Sequence, residues 1–417
     1  MNVLKGYKET EIGLLPIDWD LKSVGTHCIV KARIGWQGLR SDEYLSSGKY
    51  GLITSTDIVD GRVNWGSCCF VSKSRYLQDS NIIVREDDTL VSKDGTIGKV
   101  GIVQNIPFPS TLNSGVFVIR PKFDDVYKKY LAIAFKSVYF QDFINRLTAG
   151  STIVHLYQKD IVNFKFPVPL PIEQKAIAET LSDVDGLIAA LDKKITKKRL
   201  LKQGAMQQLL TGKKRLSGFT DKWKTIRLGD WATMSSGGTP TSSVPEYYNG
   251  YIPFLSISDI TEAGKYINKT EKTITEKGLN NSSARMFPAG TIMYAMYASL
   301  GKCSIANIEL SCSQAILGII PKCIIYPEYL YYYLSFIEKD VKDMGQTGTQ
   351  SNLSKQIVQN FMLKLPSDIK EQQTIATVLS DMDKEINDLE ARRDKYRLLK
   401  SGMMQKLLTG QIRLKTE

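Results

Sequence analysis

The sequence predicts an α+β protein in which two similar α/β globules are joined by two long helices packed as an antiparallel coiled coil with pseudo-two-fold symmetry. Three observations carry this. Residues 173–216 and 371–414 repeat one another at an offset of 198 without a gap, and about 24 of the 44 positions agree, far beyond what shared helical composition gives. In both copies apolar residues recur at alternating steps of four and three, the spacing of a coiled-coil seam. Ahead of each copy, the same landmarks appear in the same order. The predicted segments are a globule at 1–168, a helical spacer at 169–216, a second globule at 217–365 and a second spacer at 366–417.

The seam runs through Ile177, Leu181, Val184, Ile188, Leu191 and Ile195, and in step through Ile375, Leu379, Met382, Ile386 and Leu389. Pro171 suits a first helical turn, and Asp368 stands three residues before Glu371 in a capping-box pattern. Both copies end Leu-Leu-Thr-Gly, which puts Gly212 and Gly410 where a left-handed C-terminal cap is expected. A helix of about 38 residues reaches roughly 57 Å at 1.5 Å per residue. Each seam requires a partner, and the duplication supplies one in the same chain. Polar positions repeat as well: Asp183, Asp185, Lys197, Arg199, Lys202 and Gln207 match Asp381, Asp383, Lys395, Arg397, Lys400 and Gln405. A bare spacer needs no such matched detail, so a protein partner on the helices is expected.

Within the globules, Trp19, Leu21, Val24 and Gly25 are answered by Trp223, Ile226, Leu228 and Gly229. Strand-like runs at 50–58 and 251–260 each end in Asp-Ile, at Asp57 and Asp259. Further runs pair 89–92 with 97–100, and 291–294 with 300–303, before strand-like 116–119 and 316–319. Helical patterns follow at 126–147 and 328–343, with Pro327 at a helix start, then Gly/Ser/Thr loops at 148–152 and 347–351. The matched residues are those that set a fold, while the loops diverge. Arg33, Gln37, Arg40 and Lys49 stand where the second globule has Gly237-Gly-Thr-Pro240, Thr241, Ser242 and Ser243. One fold with two loop chemistries suggests two different things being read.

The 417 residues, 42% hydrophobic and 24% charged, have ordinary globular composition. No apolar run approaches the roughly 18 residues of a membrane span, and the first twenty residues lack a signal-peptide core, so a cytoplasmic protein is expected. Cysteines 28, 68, 69, 303, 312 and 323 have no Cys-x-x-Cys spacing, which favours free thiols over zinc or disulfides. His27 and His155 lack counterparts in the other half, no Walker A loop occurs, and the Gly-rich pieces at 235–239 and 93–98 are too short to cradle phosphate. Glu173-Gln-Lys175 resembles a nuclease Glu-x-Lys, but Gln373 replaces the lysine in the second copy. An Asn/Asp-Pro-Pro-aromatic loop and a Gly-rich cofactor turn, expected of an amine methyltransferase, do not occur. A binding protein without its own catalytic residues, metal or cofactor is expected.

A net charge of +12 favours a polyanionic partner. Cations neutralise phosphates, while Arg, Asn, Gln and Thr discriminate base edges in the major groove of double-stranded DNA. Candidate DNA contacts in the first globule are Arg33, Gln37, Arg40, Lys49, Lys73, Arg75, Lys93 and Lys99. In the second they are Thr239, Thr241, Lys265, Lys269, Arg285, Tyr294, Lys302, Gln346, Thr349 and Gln350. Two non-identical readers on a stiff spacer predict an asymmetric, two-part site with an unread gap; in dimeric readers the half-sites lie about 34 Å apart.

At this point the sequence resembles the DNA specificity subunit of type I restriction-modification systems, over essentially the whole chain. The resemblance is carried by Tyr7-Lys-Glu-Thr-Glu-Ile-Gly with Pro16 and Trp19, by Gly237-Gly-Thr-Pro240 followed by Tyr247-Tyr, Ile252-Pro and Asp259-Ile, and by the duplicated Glu-Gln helices with Leu-Leu-Thr-Gly ends. The first globule departs from the pattern, with Arg33-Ile-Gly-Trp36 in place of Gly-Thr-Pro. The resemblance implies two target-recognition domains, each reading half of a bipartite site, and helical regions that act as a ruler and dock two modification subunits. Those subunits would bring S-adenosylmethionine and DNA methylation, and restriction subunits would bring ATP, Mg and cleavage. The alternatives are a self-contained fused methyltransferase or nuclease, and a coiled-coil adaptor that never meets DNA.

Overall fold

The computed structural model describes residues 6–35, 38–149, 155–347 and 352–414, with the side chains of 344–347 left aside. The chain divides into two compact units, residues 1–190 with 392–417, and residues 191–391. The first long helix, Pro171–Leu209, passes from one unit into the other at Ala190, and the second, Ile369–Leu408, passes back at Ala391. Each unit therefore holds one globule and half of each helix, so the units cut across the four segments expected from the sequence.

The helix halves pair antiparallel in both units. In the first, Asp185 bonds Lys400 (2.6 Å), and Ile177 and Leu181 share a core with Leu407 and Leu408. In the second, Lys202 bonds Asp383 (2.5 Å), Lys198 bonds Glu385 (2.7 Å), and Ile195 packs with Ile386 and Leu389, with Leu191 beside them. The seam is shared rather than purely helix-to-helix. Ile177 and Leu181 also pack on Tyr130 and Phe166 of the first globule, and Ile375 and Leu379 on Tyr329 and Leu365 of the second. Val184 is buried, and Ile188 and Met382 are half-buried. Apolar residues at the outer ends of the helices thus serve two neighbours, which a seven-residue repeat alone does not reveal.

The first globule has a six-stranded sheet ordered Cys28–Lys31, Val116–Pro121, Thr89–Ser92, Val100–Ile102, Arg62–Val63, Ile58–Val59, and a three-stranded sheet ordered Ser110–Leu112, Tyr50–Ile53, Cys69–Val71. The second repeats this with a five-stranded sheet (Ala232–Ser236, Ile316–Pro321, Ile292–Ala295, Cys303–Ala306, Tyr266–Ile267) and a four-stranded one (Lys272–Ile274, Tyr248–Leu255, Leu310–Cys312, Met286–Phe287). Central strands are buried on both faces, as in Thr89–Ser92 and Ile292–Ala295, which explains their near-continuous apolar runs. Burial also pushes the thiols of Cys28, Cys68, Cys303 and Cys312 up to about 12.

Three local expectations change. The repeated Asp-Ile does not end a strand: Asp57 and Asp259 accept the backbone N–H of Thr54 and Ser256 (2.8 Å each) and cap the helical turn after it. The helical pattern at 126–147 breaks into Lys128–Ala134 and Val138–Thr148, where the Ser137 side chain caps the second piece; the pattern at 328–343 likewise splits into Pro327–Phe336 and Glu338–Thr347. Asp368 caps its helix through the N–H of Lys370 (2.8 Å), but Glu371 does not close the box, because its carboxylate is held by Arg215. The left-handed caps do form, with φ of 70° at Gly212 and 69° at Gly410.

A buried Glu-Gln pair opens each long helix. Gln174 accepts from the N–H of Tyr127 (2.8 Å) and donates to the carbonyls of Asp125 and Pro169. Gln372 does the same with Tyr326, Ile324 and Pro366. The glutamates turn to arginines: Glu173 takes a two-pronged bond from Arg413 (2.6 and 2.7 Å), and Glu371 one from Arg215 (2.6 and 2.7 Å). One residue fastens the helix to its globule and its neighbour fastens it to the segment that follows the other helix. This is the physical meaning of the Glu-x-Lys look-alike.

Candidate nucleic-acid interface

In the first globule, one network organises the basic loop residues. Arg33 is only 1% exposed, and its guanidinium donates to the carbonyls of Leu112 (2.9 Å) and Arg75 (3.4 Å), to Gln78 Oε1 (3.1 Å) and to Thr111 Oγ1 (3.3 Å). Burial pulls its pKa below the usual value. Arg75 donates to Glu43 Oε1 (2.6 Å), whose other oxygen accepts the N–H of Arg40 (2.9 Å). Arg75 thereby holds the Glu43 carboxyl below its ordinary range. Tyr50 stacks on Tyr76 with ring centres 4.6 Å apart, tying the strand after Lys49 to the helix that carries Lys73. Arg40, Lys49 and Lys73 are left exposed on this platform.

Lys93 and Lys99 bracket a separate turn, closed by Ser92, which donates to the Thr96 carbonyl and accepts from the N–H of Lys99 (2.5 and 2.9 Å). The Lys93 ammonium lies 5.3 Å from the centre of the Phe117 ring, and Asp94 in the same turn pairs with His155.

In the second globule, Gly237 and Gly238 lie against backbone and side chain so closely that a Cβ would come within 2.0 Å of the Cys312 carbonyl oxygen and 2.2 Å of Ser283 Oγ. Only glycine fits there, and the pair seats Thr239 and Thr241 at the surface. Thr239 donates to Gln314, and the Tyr248 hydroxyl donates to the Pro240 carbonyl (2.5 Å). Arg285, exposed, stands two residues beyond Ser283. Thr239, Thr241, Arg285 and Gln314 thus share one polar region, of which Gln314 carried no sequence signal.

Three expected contacts are corrected by burial and pairing. Arg33 is an internal tie rather than a surface cation. Tyr294 is 0% exposed inside the core of the second globule. Lys265 is spent on Glu328 (2.8 Å) and Ser380 Oγ (3.2 Å), under the Tyr332 ring. Lys269 lines a cleft with Asp259, Glu262 and Glu271, and Lys302 is half-buried in its own turn. Gln37, Thr349, Gln350 and the side chain of Gln346 lie outside the described residues, as do most of the loops at 148–152 and 347–351. Among the described residues, no helix is long and apolar enough to cross a membrane, and no cluster of three or more His, Cys, Asp or Glu could hold a metal ion.

The family described as the type I restriction modification DNA specificity domain matches twice, at residues 29–198 and 220–396. Over 99% of its length the chain is 25% identical to the putative type I restriction enzyme MjaX specificity subunit of Methanocaldococcus jannaschii, covering 98% of that protein. It is also 25% identical to the EcoR124I/EcoR124II specificity subunit of Escherichia coli, over 54% of this chain and 57% of that one. Among solved structures, the type I restriction-modification S subunit from M. genitalium superposes with a TM-score of 0.60 at 17% identity, covering 94% of this chain and 96% of that one. A chain from a structure of type I system assembly superposes at 0.59 and 18% identity, covering 95% and 99%. With one match on each globule and most of the chain spanned, this protein belongs to the type I restriction-modification DNA specificity family.

Proposed function

We propose that this chain reads a two-part, asymmetric duplex DNA site, one part per globule, and leaves methylation and cleavage to other subunits. The observation that carries the reading is the contrast between the units: repeated sheets, caps and Glu-Gln anchors, but a basic platform around Arg40, Lys49 and Lys73 in one and a threonine-arginine region around Thr239, Thr241 and Arg285 in the other. Cations on the first suit phosphates, and the polar set on the second suits base edges. Lys93, Lys99, Lys269 and Lys302 are secondary candidates on the same argument, and so are Gln37, Gln346, Thr349 and Gln350 from their types alone.

The helices offer the docking surface for two modification subunits. Leu200 and Leu201, with their repeats Leu398 and Leu399, remain 50–76% exposed. Asp183, Lys197 and Gln207 and their repeats Asp381, Lys395 and Gln405 are exposed beside them. A repeated apolar pair rimmed by repeated polar residues fits one kind of partner bound twice. On this reading S-adenosylmethionine sits on the modification subunits, and ATP and Mg on restriction subunits.

The test is duplex binding by the purified chain, alone and with the modification subunit, across a salt series. Binding that weakens steeply with salt and selects a split sequence is expected. Absence of DNA affinity in both settings leaves only the adaptor. Methyl transfer to DNA by this chain alone would instead require a self-contained enzyme.

A further inference from the structure

A half-enclosed cavity of about 50 Å³ in the first unit lies where the first globule meets both long helices. Four cations line it, Arg62, Lys129, Lys136 and Lys400, against one carboxylate, Asp185, which is already bonded to Lys400 at 2.6 Å. Ser182 and Gln104 add neutral polar groups. Gly61 makes the arrangement possible: a Cβ there would come 2.5 Å from the Lys136 ammonium, which donates to the Gly61 carbonyl (3.0 Å).

The second unit provides an internal control, because its register fixes the equivalent positions. Ile102 pairs in parallel with Arg62 as Ile305 does with Tyr266, and Gln174 and Gln372 anchor Tyr127 and Tyr326 alike. Counting from those anchors, Tyr266 replaces Arg62, Glu328 replaces Lys129, Tyr331 replaces Ala132, Tyr332 replaces Ile133 and Ser335 replaces Lys136. There the space is taken by tyrosine rings, and the two lysines, Lys265 and Lys202, each meet a carboxylate, at Glu328 and Asp383. One unit has balanced its charges and closed the space. The other has kept both the space and an excess of positive charge, an arrangement that costs stability unless an anion completes it.

We propose that this cavity binds a free tetrahedral divalent oxyanion of the sulfate or phosphate class. The volume exceeds the 10–15 Å³ or so that one water requires and suits an ion of this size. Burial and the Lys400 charge, opposed by Asp185 and reinforced by Arg62, bring Lys136 down to about 8. A bound anion reverses that pressure, so binding takes up a proton at alkaline pH.

The test is calorimetric titration of the full chain with sodium sulfate at constant ionic strength in chloride. Sulfate keeps its charge between pH 7 and 9, so its affinity should fall about tenfold over that range as Lys136 loses its proton. Lys129→Glu, at a half-exposed position, and Ala132→Tyr, both copied from the second unit, should each abolish binding while leaving the far-ultraviolet circular dichroism unchanged. Sulfate and inorganic phosphate that bind no better than chloride would overturn the proposal, as would unchanged affinity in Ala132→Tyr. If the two substitutions weaken duplex DNA binding and neither free ion binds, the cavity holds a DNA phosphate and the free-ion proposal fails, whereas loss of DNA binding in every variant and the parent alike would count against the DNA reading alone.

Discussion

Replacing Arg413 by methionine tests whether the buried Glu-Gln anchor is structural. Arg413 gives two bonds to Glu173 and two to Asp18 (3.0 and 2.8 Å), and its guanidinium lies 5.4 Å from the Trp19 ring centre. Glu173 is 4% exposed, so Arg413→Met leaves a carboxylate in the interior with one donor, Trp19 Nε1 at 3.0 Å. Breaking a buried pair costs about 3–5 kcal/mol, and the lower figure applies because water can reach the vacated, partly exposed guanidinium position. For a unit of this size, about 3 kcal/mol lowers the melting midpoint by roughly 6–12 °C, read by differential scanning calorimetry. Adding Glu173→Gln should restore part of the loss by removing the stranded charge, and Asp18→Asn alone should change little. The pH dependence has a definite sign. Arg413 holds the Asp18 carboxyl below its ordinary 3.8, so this contribution is complete above that value and is lost as the pH falls through the lowered one. Arg413→Met should flatten that acid limb. A midpoint shift under about 2 °C, or one equal to that of Asp18→Asn, would refute the reasoning.

Gln372→Ala removes three hydrogen bonds and strands the N–H of Tyr326 and the carbonyls of Ile324 and Pro366, so a loss of about 2–3 kcal/mol is expected in urea unfolding of the chain. Lys73→Ala should weaken duplex binding equally for all sequences and reduce the salt slope by about 1, whereas Arg285→Ala should relax the preference for one half-site, both read by fluorescence anisotropy. Inserting seven residues, about two turns, into both long helices, after Ala190 and after Ala391, adds roughly 10 Å of helix. On the proposed function the preferred gap grows by about three base pairs and both half-sites stay the same, as methylome sequencing would report.

The long helices were legible because the sequence states them twice and their period and glycine caps are local signals. The sheets were legible as runs, since buried central strands read as apolar stretches. The turns at Asp57 and Asp259 were hidden by the apolar residues around them, although Thr54 and Ser256 three residues earlier supply the capping pattern. Residue roles were far less accessible. Arg33 looks like a surface cation in a loop, and only the meeting of residues 75, 78, 111 and 112 gives it enough acceptors to be buried. Tyr294 is buried because its strand is covered on both faces, and a tyrosine in that run gives no local sign of it. The cationic cavity escaped altogether, because its lining comes from sheet, globule helix and both long helices, and its excess charge shows only beside the balanced second unit.

The pairing of Glu173 with Arg413 spans 240 residues, and the unit it closes joins residues 1–190 to 392–417, while the other unit is the single continuous stretch between them. On the ribosome, where domains usually mature in the order they emerge, this nesting inverts the sequence of events. The inner unit has all its parts once residue 391 is out, but the first globule must wait, its helix half unpaired and its glutamate uncompensated, until Arg413 has emerged. A nascent chain arrested before Arg413 should therefore expose the older globule to chaperones and proteases after the younger one has become resistant.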